Sequence, residues 1–167
     1  MLAAYHPVHV SMRLRNGVGN LREYQRSCII EGAFHDAKRR HGMRVVHYSI
    51  QGNHLHLVVE ADDRKTLARG MQALASTIAR RLNRLVRRRG AVFVDRYFAH
   101  ILKTPREVAR AVRYVLSNLL HHLGLDYASD FYDPYSSAWF GHEPGDEAPI
   151  QPPRTWLLRV GWRRATP

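Results

Sequence analysis

The residues with the most chemical potential are two histidines one position apart. His54-Leu55-His56 sits in an alternating run, NHLHLVVE, and in a β-strand residues i and i+2 point to the same face. Both imidazoles then project together, while Leu55, Leu57 and Val59 go to the other side. Two neutral imidazoles at that spacing can share one divalent metal, provided a third ligand arrives from elsewhere. The spacing describes equally well two histidines on a solvated strand face. Sixty positions after His54 comes a second pair, Tyr114 and Asn118. At i and i+4 of a helix they share one edge. Asn118 offers an amide oxygen suited to a hard cation such as Mg²⁺ or Mn²⁺. Tyr114 offers a phenol that, deprotonated, can attack phosphorus covalently. Taken singly, an edge tyrosine with a hydrogen-bonded hydroxyl is the plainer reading.

The elements that must position these groups follow from periodicity. In HPVHVSMRLR, Val8, Val10, Met12 and Leu14 alternate with His9, Ser11, Arg13 and Arg15, the pattern of a half-buried strand. A helix is expected from Leu21 to His41, with Ile30, Ala33, Phe34 and Ala37 at helical spacing and Gly42 as its stop. Two strands near 43–50 and 54–60 flank Gln51-Gly52-Asn53 as a hairpin. Asp62 or Asp63 caps a long helix with Leu67, Met71, Leu74, Ile78, Leu82 and Leu85 on its apolar stripe. VFVDRYFAHI, after Gly90, reads as a fourth strand. Thr104-Pro105-Arg106-Glu107 is a capping box with proline at the first helical position. The helix it opens carries Val108, Val112, Val115, Leu119 and Leu123 on one face and stops at Gly124.

The order β-α-β-β-α-β-α predicts an α+β fold. It is a ferredoxin-like (split βαβ) antiparallel four-stranded sheet with two helices on one face, plus a C-terminal tyrosine-bearing helix. That layout hosts many functions and settles none of them. Residues 1–125 make the expected domain. Residues 126–167 form an extension without a readable structure, except that TWLLRVGWRR is apolar enough to dock back.

Charge narrows the partner. Lys and Arg outnumber Asp and Glu 26 to 14, for a net +12, and a field of that sign attracts polyanions. Between Arg64 and Val94 there is no acidic residue. A solvated helix normally mixes signs, because like charges at i, i+4 repel. Arg80, Arg81, Arg84, Arg87 and Arg88 are therefore read as phosphate-backbone contacts. No apolar run is as long as a membrane span, and the N-terminus lacks a signal-peptide pattern. The single cysteine, Cys28, excludes an intramolecular disulfide and a Cys-based zinc site, which fits a reducing cytoplasm.

Together these motifs resemble a known family. IQGNHLHLVVE is similar to the NH-x-H signature of single-tyrosine HUH transposases. RYFAHILKTPREVARAVRYVLSNLLHH resembles that family's late strand and tyrosine helix, where a YxxxN motif recurs in the REP-associated branch. The match runs from about Pro7 to Leu123, and the combination is far more specific than either half alone. The resemblance implies His54, His56 and Asn118 as ligands of a divalent metal, Mg²⁺ or Mn²⁺, and Tyr114 as nucleophile. It implies cutting and rejoining of single-stranded or hairpin DNA through a 5′-phosphotyrosine, by a cytoplasmic, nucleoid-associated monomer or homodimer. One departure is Leu119, where relatives often carry proline. The alternatives are an HUH nickase for replication initiation and a ferredoxin-like nucleic-acid-binding module without catalysis. His47, and His121 and His122 one turn beyond the site, receive no role.

Overall fold

The computed structural model of the protein describes residues 3–38, 42–122, 132–140 and 145–165, with 118–122 as backbone alone. Its main elements are β1 (Val8–Arg13), α1 (Tyr24–Lys38), β2 (Met43–Ile50), β3 (His54–Ala61), α2 (Arg64–Leu85), β4 (Phe98–Ile101) and α3 (Pro105–His122). A short helix, α4 (Trp156–Arg159), follows in the C-terminal segment, with 3₁₀ turns at Ser137–Phe140 and Gly161–Arg164. The strands form one sheet in the order β2-β3-β1-β4, and every pairing is antiparallel. This is the split βαβ arrangement that the element order predicts.

Strand alternation sorts the side chains into two cores. Val8, Val10, Met12, Leu55, Leu57 and Val59 pack with Ile30 and Phe34 of α1 and with Leu67, Met71, Leu74, Ile78 and Leu82 of α2. On the opposite face, Val108, Val112 and Val115 of α3 cover Val46, Val58 and Leu102, joined by Leu157 and Leu158 of α4. Burying each of those valines contributes about 1.5–3 kcal/mol, which fixes α3 to the β2–β3 half of the sheet. A β-bulge between Val45 and His47 helps it do so. The extra residue turns Val46 toward α3, whereas Val45 and Tyr48 stay under the other helices.

Helix ends follow the local signals, with one exception. The Asp63 carboxylate accepts from the Thr66 N–H at 2.7 Å and caps α2. At α3 the capping box is complete: Thr104 Oγ1 accepts from the Glu107 N–H, and Glu107 Oε2 accepts from the N–H of Lys103 and of Thr104. Those bonds hold the Glu107 carboxyl below its ordinary range. Gly42 takes a left-handed φ of +62°, but α1 is described only to Lys38, and residues 39–41, over which the predicted helix runs to its stop, lie outside the described residues. Gly70, in mid-α2, is explained by Met43, whose side chain would sit 2.7 Å from any added Cβ. The exception is α1, which starts at Tyr24 and not Leu21. Leu21 is fully buried and donates its N–H to Gly52 O, so the β2–β3 turn holds it instead of the helix.

The fourth strand is shorter than its sequence suggests. Only Phe98–Ile101 pairs in the sheet. Upstream, Val92 O and the Val94 N–H bond to Arg15 and Arg13, and Phe93 makes an isolated bridge to Leu14. That stretch crosses the end of β1 without continuing β4.

The C-terminal segment docks on the sheet as its apolar residues predict. Both Glu60 oxygens accept, at 2.8 Å, from the N–H groups of Arg154 and Thr155, and Thr155 caps α4. Along β2, the Ile50 N–H donates to Tyr135 O, and Ser49 bridges Ser136. No described helix is long and apolar enough to cross a membrane.

Candidate active site

The histidine pair stands where alternation places it. Leu55 and Leu57 are fully buried under α1 and α2; His54 and His56 face the other way, toward α3. Register puts Arg13 beside His54 and Ser11 beside His56. The two imidazoles are nearly parallel, 11° apart, with centroids separated by 6.2 Å. Rings sharing one divalent ion at an ordinary ligand angle have centroids about 5 Å apart, so the two imidazoles would have to draw together by about 1 Å to hold a common metal.

The residue preceding the pair orients its first ring. His54 Nδ1 lies 2.6 Å from Asn53 Oδ1, a hydrogen bond of the kind that fixes the direction of a ligating imidazole. Asn53 is in the NH-x-H signature, and this bond gives it a physical role there. Among the described residues no three His, Cys, Asp or Glu side chains could hold a metal ion together. Asn118 lies on α3, one turn beyond Tyr114; its side chain is outside the described residues, as are those of His121 and His122.

Tyr114 reaches the pair from α3. Val112 and Val115 face the sheet, so Tyr114 falls on the helix edge and remains 40% exposed. Its ring stands at 87° to His56 with centroids 5.1 Å apart. The fold therefore brings together a strand motif and a helix motif sixty residues apart.

Sequence reasoning missed His9. Its ring lies 5.7 Å from His56 at 26°, and 5.8 Å from Tyr114 at 71°. The tyrosine thus stands edge-on to two nearly parallel imidazoles. His9 Nε2 is buried and has no hydrogen-bond partner among the described residues. Burial, and secondarily the neighbouring His100, push its pKa below the ordinary imidazole value. The alternation in β1 already put His9 on this face; only the β1–β3 pairing made it a diagonal neighbour of His56. His47 shares the face because of the bulge, but its Nδ1 is 3.3 Å from Ser137 Oγ and it belongs to the docked segment.

The arginines of α2 are not at this site. Arg69, Arg80, Arg81 and Arg84 line a groove of about 860 Å³ between α1 and α2, on the layer opposite His56 and Tyr114. Arg87, Arg88 and Arg89 extend it past the end of α2. Within this patch Arg81 pairs with Asp36 of α1, and Arg88 donates to Ala91 O at 3.3 Å. The helix period that buries Leu74, Ile78 and Leu82 against the sheet turns these arginines outward.

Comparison with known proteins bears on the family and the fold. The family model described as "Transposase IS200 like" matches residues 3–118. No curated protein matches the chain. A solved structure of the REP-associated tyrosine transposase bound to a REP hairpin shares the fold, with a TM-score of 0.61 and 17% identity over 82% of this chain and 79% of that one. The matched residues include all four strands, α1, α2 and α3 as far as Asn118, and the chain belongs to the IS200-like transposase family.

Proposed function

We propose that the protein cuts and rejoins single-stranded or hairpin DNA through a 5′-phosphotyrosine on Tyr114, as in the REP-associated branch of its family. The observation that carries this is the Tyr114 ring set perpendicular to His56, with centroids 5.1 Å apart, and His54 alongside. The solved relative is bound to a REP hairpin, which supports hairpin DNA as the substrate class. Tyr114 Oη bonds to phosphorus, the P–O3′ bond breaks, the phenol loses its proton and the departing 3′ oxygen takes one up. The phosphoester is conserved in the new bond, so a 3′-hydroxyl can reverse the step elsewhere without ATP. His54, His56 and the Asn118 amide would hold Mg²⁺ or Mn²⁺, which supplies positive charge to polarise the phosphate. The direct test is incubation with Mn²⁺ and a single-stranded oligonucleotide, followed by denaturing electrophoresis. A covalent protein–DNA band is expected, and its absence across a panel of hairpin oligonucleotides would refute the reading.

Asn118 is tested through metal demand. Asn118→Leu removes the amide oxygen and keeps helix propensity, so half-maximal adduct formation should need at least about 10-fold more Mn²⁺. Asn118→Asp retains an oxygen and adds charge, so its requirement should stay the same or fall. Equal requirements in wild type and Asn118→Leu would assign the third position to water or another group.

The α2 face is the proposed contact for DNA backbone away from the cut. Replacing Arg84 and Arg88 with glutamate should weaken binding to all sequences alike and reduce the slope of log K against log salt by about 2. Because the patch is on the opposite layer, the single-turnover rate at saturating DNA should not change. An unaltered salt slope would leave this face solvated only.

A further inference from the structure

The strand attacked by Tyr114 needs a surface to lie on, and the arginine-rich helix is on the wrong layer to provide it. α3 covers the β2–β3 half of the sheet through Val46 and Val58, and among the described residues Phe98 and His100 of β4 stay exposed on the Tyr114 face. Register defines what lies there. Ser11 is flanked by His56 on one side and Phe98 on the other, Arg13 is paired with His54, and His9 with His100. Phe98 is 67% exposed. Its neighbours are not comparable, since Tyr97 packs against the helical core and Ala99 pairs with Val10 on the opposite face. An exposed phenylalanine on a four-residue edge strand contributes nothing to either core, and edge strands usually avoid apolar exposure. Two strands over from His56, its Cα lies about 10 Å from the proposed metal ligand.

Charge identifies the occupant. Glu60 is the only acidic residue in the four strands, and it is buried at the far end with its oxygens taken by Arg154 and Thr155. Glu107, near His100, is engaged in capping α3. Arg13 and Arg15 are exposed at the other end of the strip. A strip with a bare aromatic ring, one cationic end and no free carboxylate on its strands suits a single-stranded nucleotide, which brings a π-face and a phosphate together.

We propose that this strip is the bed for the single strand beside the scissile phosphate, with Phe98 the platform on which one base stacks and Arg13 its phosphate contact. The proposal rests on the strand-transfer reading above, but it is tested without cleavage. The parent for the test is the Tyr114→Phe protein without added metal. The probe is a single-stranded oligonucleotide of about twelve nucleotides carrying 2-aminopurine, with a blunt duplex as control. Phe98→Ala should lower affinity for the single strand about 10-fold and abolish quenching of 2-aminopurine fluorescence. Affinity for the duplex should be unchanged, and Phe98→Trp should restore both single-strand signals. Phe98 is outside both cores, so thermal melting should match the parent. The bed is wrong if single-strand affinity stays within about two-fold, if duplex affinity falls equally, or if the parent does not bind the probe. It is also wrong if Phe98→Ala changes the sedimenting mass, which would make β4 a contact between copies. A failure of adduct formation in the wild type would leave these binding results standing, so the two ideas fail separately.

Discussion

Tyr114→Phe is expected to abolish covalent attachment of the protein to single-stranded DNA, lowering the yield by at least about 10³-fold. The substitution removes one oxygen and nothing else. Its ring can keep the perpendicular ring contacts with His56 and His9. At 40% exposure the residue is not a core element, and Val112 and Val115 still hold α3 on the sheet. Melting temperature and DNA affinity should therefore remain close to wild type, and the measurement is adduct formation at saturating DNA and Mn²⁺. Cleavage persisting at the wild-type rate would mean that water attacks, and the protein would then be a metal nuclease unable to rejoin strands. Free 3′ and 5′ ends without an adduct would show this directly.

The second large effect concerns stability and originates far from the histidines. Arg22 forks onto Asp133 through two bonds of 2.9 Å, donates to Ile50 O at 3.1 Å and lies over the Tyr135 ring at 4.4 Å. The Asp133 side chain is only 3% exposed and that of Arg22 19%, so little solvent screens the pair. Arg22→Ala leaves a buried carboxylate without its counter-charge, which should reduce unfolding free energy by about 3 kcal/mol. For a chain of this size that corresponds to a fall in melting temperature on the order of 6–12 °C. Arg22→Ala combined with Asp133→Ala should recover part of the loss, since no unpaired charge remains. A change below about 1 kcal/mol for Arg22→Ala, or complete additivity of the two substitutions, would show that the pair is not coupled. Because Tyr135 and Ser136 cover the β2 edge, the same variant should also raise amide exchange along β2.

What the sequence determined by itself is the set of faces. A strand alternates with period two and a helix turns with period 3.6 whatever they pack against. His54 and His56 were therefore bound to point away from Leu55 and Leu57, and Tyr114 to flank the Val108–Val112–Val115 stripe. Asp63 and the Thr104–Glu107 box were readable because capping is a bond between residues three apart. Tertiary structure decided which faces meet. His9 joined the site only when β1 paired with β3, and His47 shares that face only because a bulge shifted β2 by one residue. The arginines of α2 carried a charge signal but no side, since the layer a helix occupies is set by the sheet it covers. β4 shrank to four residues because its upstream half bonded across the end of β1. Arg22 and Asp133 lie 111 positions apart, and neither has a local pattern that names the other. Such pairings are chosen when burial of the two cores brings remote segments together and every polar group left inside must find a partner.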